Sequence, residues 1–305
     1  MADSDGPARI KIAAAQYPIE RMADMAALDA KLSRWVADAA RQGADLVLFP
    51  EYGAMEIAGT FGDAIAGDLE ASLAAVARLK PKLDGFMAGL AAKHRVYILA
   101  PSGPAIRPDG TIANAACLVT PGGKIGVQEK MIMTPFERNW GVTGGADLQV
   151  FATALGRIGV LICYDSEFPL LARGMAEAGA RLILVPACTE RVSGFNRVRT
   201  AALARALENT VAVAMSPTVG DAPWSPAVDR NTGSAGVFVP AEAGLSDTGV
   251  LAEGPLNQPQ LVTAEIDCAH LARLKASGEM RNAVDWQLQP GAGATRLAAR
   301  VVDLA

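Results

Sequence analysis

The chain is predicted to be an α/β protein, a four-layer α-β-β-α sandwich of two mixed sheets with helices on the outer faces. Short apolar runs alternate with amphipathic stretches along its length. The order strand, helix, strand, helix, strand, strand occurs twice, and no low-complexity linker divides the two halves. Buried strands that alternate with helices imply sheets covered by helices. Two similar halves then suggest two sheets meeting face to face.

In order, residues 10–16 read as a first strand. Met25, Leu28, Leu32, Trp35, Val36 and Ala39 give a helical stripe that Gly43 ends. Residues 46–49 form a short buried strand closing on Pro50 and Glu51. A helical region over 69–94 is expected to break near Pro81, because proline removes a backbone donor. Residues 96–100 and 111–120 read as strands, the second turning at Pro121-Gly122-Gly123. A polar segment around Lys130 leads to strands over 148–153 and 157–162. The second half reads as a helix from Pro169 to Ala178, a strand over 182–185, a helix over 196–207 and a strand over 211–215. A loop over 219–232 follows, then strands over 235–239 and 261–266 and a short helix reaching Lys275. One domain is expected over 9–281, with a flexible N-terminus over 1–8 and a C-terminal arm or tail over 282–305.

Composition excludes several classes. Of 305 residues 51% are hydrophobic, enough for a large core, and the net charge of −4 argues against nucleic acid or an anionic membrane as partner. No uncharged apolar run approaches the roughly 18 residues of a membrane span, and residues 1–9 are too polar for a signal peptide. Cys117, Cys163, Cys188 and Cys268 are irregularly spaced, without a CxxC pair, which suggests reduced thiols and a cytoplasmic location. His94 and His270 are the only histidines, both in Ala/Leu-rich helical patterns. A His-rich zinc site is thereby disfavoured. A base serving a nucleophile is expected to be a carboxylate or a lysine.

The central stretch is Gly156 to Pro169. A strand that breaks into a helix over a few residues puts the side chain at the break, Cys163, on a constrained elbow. A nearby helix N-terminus is expected to lower the thiol pKa. Glu51 and Lys130 also follow strand-like runs, and carboxyl ends of parallel strands line ligand crevices. Taken singly, Glu51 reads as a helix N-cap neighbour or a surface ion-pair member, Lys130 as a solvated charge and Cys163 as a small apolar residue ending a strand. Together they can converge.

Phe49-Pro50-Glu51-Tyr52, then Glu129-Lys130, then Cys163-Tyr164-Asp165-Ser166-Glu167-Phe168-Pro169 resemble the ordered motifs of the nitrilase, or carbon-nitrogen hydrolase, superfamily. The resemblance runs over about residues 10–286 and includes Arg205-Ala206-Leu207-Glu208-Asn209. It implies the sandwich above, a homodimer or higher homo-oligomer, and Glu51, Lys130 and Cys163 as the catalytic trio. It further implies Glu137 as a second glutamate orienting Lys130. Tyr52, Phe136 and Trp140 would wall the pocket, and Glu190 and Arg191 would contact substrate. Asp165 and Glu167 are expected to hold the elbow by hydrogen bonds. Many members carry Lys-x-His-Leu after the lysine. Here Met131-Ile132-Met133-Thr134 follows, which resembles an amidase-like branch sometimes fused to an acetyltransferase domain.

The chemistry expected is covalent hydrolysis of a small linear amide. Cys163 attacks the carbonyl carbon as Glu51 takes its proton, and Lys130 with the Tyr164 N–H receives the oxyanion. Lys130 would also favour the thiolate. No metal or organic cofactor is needed. Hydrolysis of an N-carbamoyl compound or a nitrile would use the same trio. A non-catalytic scaffold and a Cys-dependent acyltransferase are the readings from other classes.

Overall fold

The computed structural model describes residues 6–293. Residues 1–5 of the expected flexible N-terminus and 294–305 of the expected arm lie outside them. The chain forms an α/β fold around a curled, mixed sheet. Its strands are β1 (Arg9–Pro18), β2 (Leu46–Leu48), β3 (Tyr97–Leu99), β4 (Gly103–Ile106), β5 (Ile112–Val119), β6 (Ile125–Glu129), β7 (Val150–Thr153), β8 (Gly156–Val160), β9 (Leu182–Ala187) and β10 (Ala212–Asp221). β11 (Arg230–Asn231), β12 (Gly236–Phe238), β13 (Val250–Glu253) and β14 (Gln260–Asp267) complete it among the described residues.

The central order is β4-β5-β3-β2-β1-β10-β9-β8-β7. Where two sheets are expected, hydrogen bonding joins the halves: β1 and β10 pair in parallel at Tyr17 with Thr218 and Pro18 with Val219. β1 has the length to do this. It pairs with β2 and β14 along its body and reaches β10 only with its last residues.

β1 also displays the two-sided burial of a central strand. Ile10, Ile12 and Ala14 share one apolar cluster with Ile158, Val160, Leu184 and Val185 of the other half. Ala13, Ala15 and Tyr17 point the other way, into a cluster with Leu28, Leu32 and Val36 of the helix Met25–Arg41 and with Leu73, Val76 and Leu83. Alternate residues of a strand face opposite sides, so one ten-residue segment serves both cores. Burying each Leu or Val of that helical stripe contributes about 1.5–3 kcal/mol.

The helix Leu69–His94 runs unbroken through Pro81, against the expected interruption. Val76 and Ala77 before the proline and Leu83 and Met87 after it are all buried. Packing on both sides outweighs the roughly 3 kcal/mol that an interior proline costs. Besides short helices such as Pro135–Asn139, the strands β4, β11 and β13 are elements the sequence pattern does not reveal. Each is four residues or fewer and is punctuated by polar or Gly/Pro positions, too short to express a period of two.

Strand direction decides where the candidate site forms. β1, β2 and β3 are parallel, β5 is antiparallel to β3, and β6 is antiparallel to β5. Two reversals make β6 run with β2, so their carboxyl ends, carrying Lys130 and Glu51, open on the same side.

Candidate active site

Glu51 follows β2 through Phe49 and Pro50, and Tyr52 after it has φ 54°, in the left-handed region. Cys163 closes β8 through Leu161 and Ile162, also left-handed at φ 48°. A non-glycine residue there costs about 1–2 kcal/mol, so surrounding contacts must hold the elbow. Asp165 provides them. Its carboxylate accepts the N–H of Ile162 at 3.3 Å on the elbow itself, and those of Met131 at 3.1 Å and Ile132 at 2.8 Å across the site. The Ser166 hydroxyl donates to the Cys163 carbonyl at 2.7 Å, and Arg205 donates to the Ser166 carbonyl at 3.1 Å. Behind the elbow, a Cβ on Gly159 would collide with Met175, so the helix Pro169–Glu177 sits directly on the strand backbone.

The expectation for Asp165 matches this geometry, whereas Glu167 is used differently. Its carboxylate pairs with Arg197 at 3.2 Å and forms part of the cavity wall. Cys163 opens the 3₁₀ turn Cys163–Glu167, and the helix Pro169–Glu177 starts only after Phe168.

Lys130 occupies the centre. Its Nζ donates to Glu51 Oε1 at 2.7 Å and to Glu137 Oε2 at 2.6 Å, with all three side chains at most 2% exposed. Glu137 is set by a capping box: Thr134 opens the helix Pro135–Asn139, its side chain accepts the Glu137 N–H, and Glu137 Oε2 accepts the Thr134 N–H. The Tyr52 hydroxyl donates to Glu137 Oε1 at 2.9 Å. The Cys163 thiol donates to the Cys188 carbonyl at 3.8 Å, and the Glu51 charge acts on it.

These contacts set the protonation states. Burial pushes Glu51 up to about 7, against the pull of the Lys130 ammonium and with the help of the Glu137 charge. Glu137 is also buried, but Lys130 and the Thr134 and Asn114 donors hold it below its ordinary value. Burial alone would lower Lys130, yet the two carboxylates raise it and keep it an ammonium. The thiol of Cys163 is raised well above its ordinary value, chiefly by burial and next by the Glu51 charge, with Lys130 opposing. This corrects the expected depression of the thiol: desolvation and the Glu51 charge exceed the stabilisation Lys130 provides, so the resting sulfur carries its proton.

Glu51, Lys130, Glu137 and Cys163 line a cavity of about 660 Å³. Tyr52, Tyr164, Phe136, Trp140, Glu190 and Arg191, expected as oxyanion or substrate contacts, line it too, whereas Asp165 does not. Tyr52 and Trp140 meet edge to face with ring centroids 6.0 Å apart, and Phe136 stands at 63% exposure. Glu190 and Arg191 pair at 3.5 Å near solvent. Sequence reasoning missed Asn114, which donates to both Glu51 and Glu137. A polar residue within the apolar run Ile112–Val119 was the available signal. Cys188, Arg197 and Asp229, also on the cavity wall, left none, because only tertiary structure brings their loops here.

A carboxylate, an ammonium and a thiol that follow three separate strands thus line one cavity, and sequence comparison supplies the class. The carbon-nitrogen hydrolase family model matches residues 11–276, and the chain belongs to that family. Among its relatives, the probable hydrolase YhcX of Bacillus subtilis is 31% identical over 280 residues, covering 90% of this chain and 53% of the relative. A bifunctional nitrilase/nitrile hydratase NIT4A of Lupinus angustifolius is 30% identical over 174 residues, covering 53% of this chain and 49% of its own. The chain thus spans about half the length of the curated relatives it matches. An amidase from Nesterenkonia sp. shares the fold at TM-score 0.63 with 21% identity, covering 95% of this chain and 98% of that one. Saccharomyces cerevisiae Nit3, of the nitrilase superfamily, does so at TM-score 0.69 with 21% identity, covering 92% and 98%. Among the described residues no helix is long and apolar enough to cross a membrane.

Proposed function

We propose that this carbon-nitrogen hydrolase cleaves the C–N bond of a small linear amide through a thioester on Cys163. The observation that carries the reading is the Lys130 ammonium held between Glu51 and Glu137 beside the thiol in one cavity. Lys130 and Asn114 both donate to Oε1 of Glu51, which leaves Oε2 to receive the thiol proton. As Glu51 takes that proton, Sγ bonds to the carbonyl carbon. The oxyanion is received by Lys130 Nζ and the Tyr164 N–H. Glu51 then protonates the departing nitrogen, the C–N bond breaks, and ammonia or an amine leaves. A water deprotonated by Glu51 attacks the thioester, and collapse releases the acid and returns the proton to sulfur. A pKa near 7 suits a group that must accept and give a proton in one cycle.

Glu137 holds Lys130 and stays ionised, so one positive charge faces two carboxylates and does not drift toward either. Tyr52, Phe136, Trp140, Glu190 and Arg191 are the proposed substrate contacts, and the scheme requires no metal or organic cofactor. The same reading takes the two halves as stacked in four layers, supported by the cluster that Ile12 and Leu48 share with Leu161 and Val185. It takes the protein as cytoplasmic and as a homodimer or larger homo-oligomer.

Nitriles and N-carbamoyl compounds present a carbon that the same trio can attack, and the plant relatives carry nitrilase names. Incubation with a panel of linear amides, N-carbamoyl amino acids and nitriles, with ammonia, carbon dioxide and acid measured, tests the assignment. Ammonia and acid from amides without carbon dioxide is the expected result. Turnover confined to nitriles or carbamoyl compounds contradicts the amide assignment.

A further inference from the structure

Asn114 sits inside β5, at 0% exposure, in a run of alanines and aliphatic residues. A buried amide in such a strand needs partners for every polar atom. Here each partner belongs to the reaction centre or holds a part of it. Nδ2 donates to Glu51 Oε1 at 3.0 Å and to Glu137 Oε1 at 3.2 Å. Oδ1 accepts the Ser102 hydroxyl at 2.9 Å, and Ser102 Oγ in turn accepts the Tyr52 N–H at 3.2 Å. The Asn114 backbone carbonyl accepts the Lys130 N–H at 2.8 Å.

Two features single this residue out. Carboxylates only accept, so the amide must turn its NH₂ toward them. The Ser102 hydroxyl, donating to Oδ1, secures that orientation. The contacts also close a ring: Glu51, Tyr52 N–H, Ser102 Oγ, Asn114 and back to Glu51 Oε1. Rotation of the Glu51 carboxylate would break the contact with Asn114 and the one with Lys130 together.

We infer that Asn114 is a positioning residue that holds Glu51 ionised and turned toward Cys163, with Ser102 fixing the amide that does so. The inference rests on Glu51 acting as the base. A neutral donor is suited to the task, because it stabilises the charged carboxylate without adding a second cation to compete with Lys130 for the oxyanion.

Alkylation of Cys163 by iodoacetamide, followed by peptide mass spectrometry across pH, tests this without a known substrate. Sγ displaces iodide, a C–S bond forms, a C–I bond breaks, and the thiol proton passes to Glu51. The wild-type rate should rise through a limb that Glu51→Gln abolishes. Asn114→Ala removes a donor to a charged group and should move that limb up by about one pH unit. Asn114→Asp keeps the shape, replaces the donor by a third carboxylate and should move it further. Ser102→Ala should move it in the same direction by less, and it carries the test alone if neither Asn114 variant folds. An unchanged limb in the folded variants, with the rate lowered evenly at all pH values, overturns the inference, because that is what loss of packing alone produces. A limb that survives Glu51→Gln overturns the base assignment itself. A limb that Glu51→Gln abolishes and the Asn114 and Ser102 variants leave in place removes only the role of Asn114.

Discussion

Glu51 Oε1 and Lys130 Nζ lie 2.7 Å apart, each side chain at most 2% exposed, at the carboxyl ends of strands 79 residues apart in sequence. Moving two charges out of water costs several kcal/mol per ion. The cost is met by a third charge, Glu137, and by the neutral donors Asn114, Tyr52 and Thr134. A network with every member satisfied is rigid, and rigidity is what the oxyanion role proposed for Lys130 requires.

Removing the ammonium leaves two carboxylates facing each other in the core. Lys130→Ala should destabilise the fold by about 3–5 kcal/mol and lower kcat at least about 10²-fold. Urea denaturation and steady-state kinetics check both. Activity within a few-fold of wild type contradicts the assigned role.

The raised Glu51 couples activity to stability in opposite directions. At pH below about 7 the folded-state carboxyl is protonated, whereas in the unfolded chain it ionises near 4.5. Its contribution to stability is therefore complete below about 4.5 and is lost as pH rises toward 7. Glu56 and Asp165, both raised to about 6, act with the same sign over the lower part of that window. Glu137, held below its ordinary value, acts oppositely: its contribution is present above 4.5 and is lost at lower pH. Turnover should climb with pH through about 7, the interval in which Glu51 withdraws stability. Melting temperature against pH should be flatter between 4.5 and 7 for Glu51→Gln than for wild type.

Asp165 ties the Cys163 elbow to the residues after Lys130. Asp165→Asn would put an amide N–H against backbone N–H donors. About 1–3 kcal/mol of stability should be lost, and kcat should fall more than KM changes. Equal stability with unaltered kcat would separate Asp165 from the geometry of the site.

Cys163→Ala should abolish turnover while leaving the melting temperature within a few degrees of wild type, since the side chains differ by one sulfur. Residual turnover would move the nucleophile elsewhere.

How far this was legible in the sequence varies with the range of the forces involved. The strand before Cys163, the helix after it and the helix Met25–Arg41 follow from local periodicity and are where that periodicity puts them. Glu137 carries a local mark as well, because Thr134-Pro135-Phe136-Glu137 is a capping box. Asn114 stands in a strand pattern as an unexplained polar residue, and only the fold reveals its two carboxylates. The thiol's protonation was misjudged because desolvation depends on burial, which a motif does not state. Pro81 was read by its local penalty, while long-range packing on both sides of it decided the outcome.

The most direct test is intact-mass spectrometry of the wild-type protein, acid-quenched during turnover of a cleaved amide. The account predicts an added mass equal to the acyl group of that amide, mapped to Cys163 and missing from Cys163→Ala. Sustained amide hydrolysis with no adduct at any quench time, or the same adduct formed on Cys163→Ala, would contradict it.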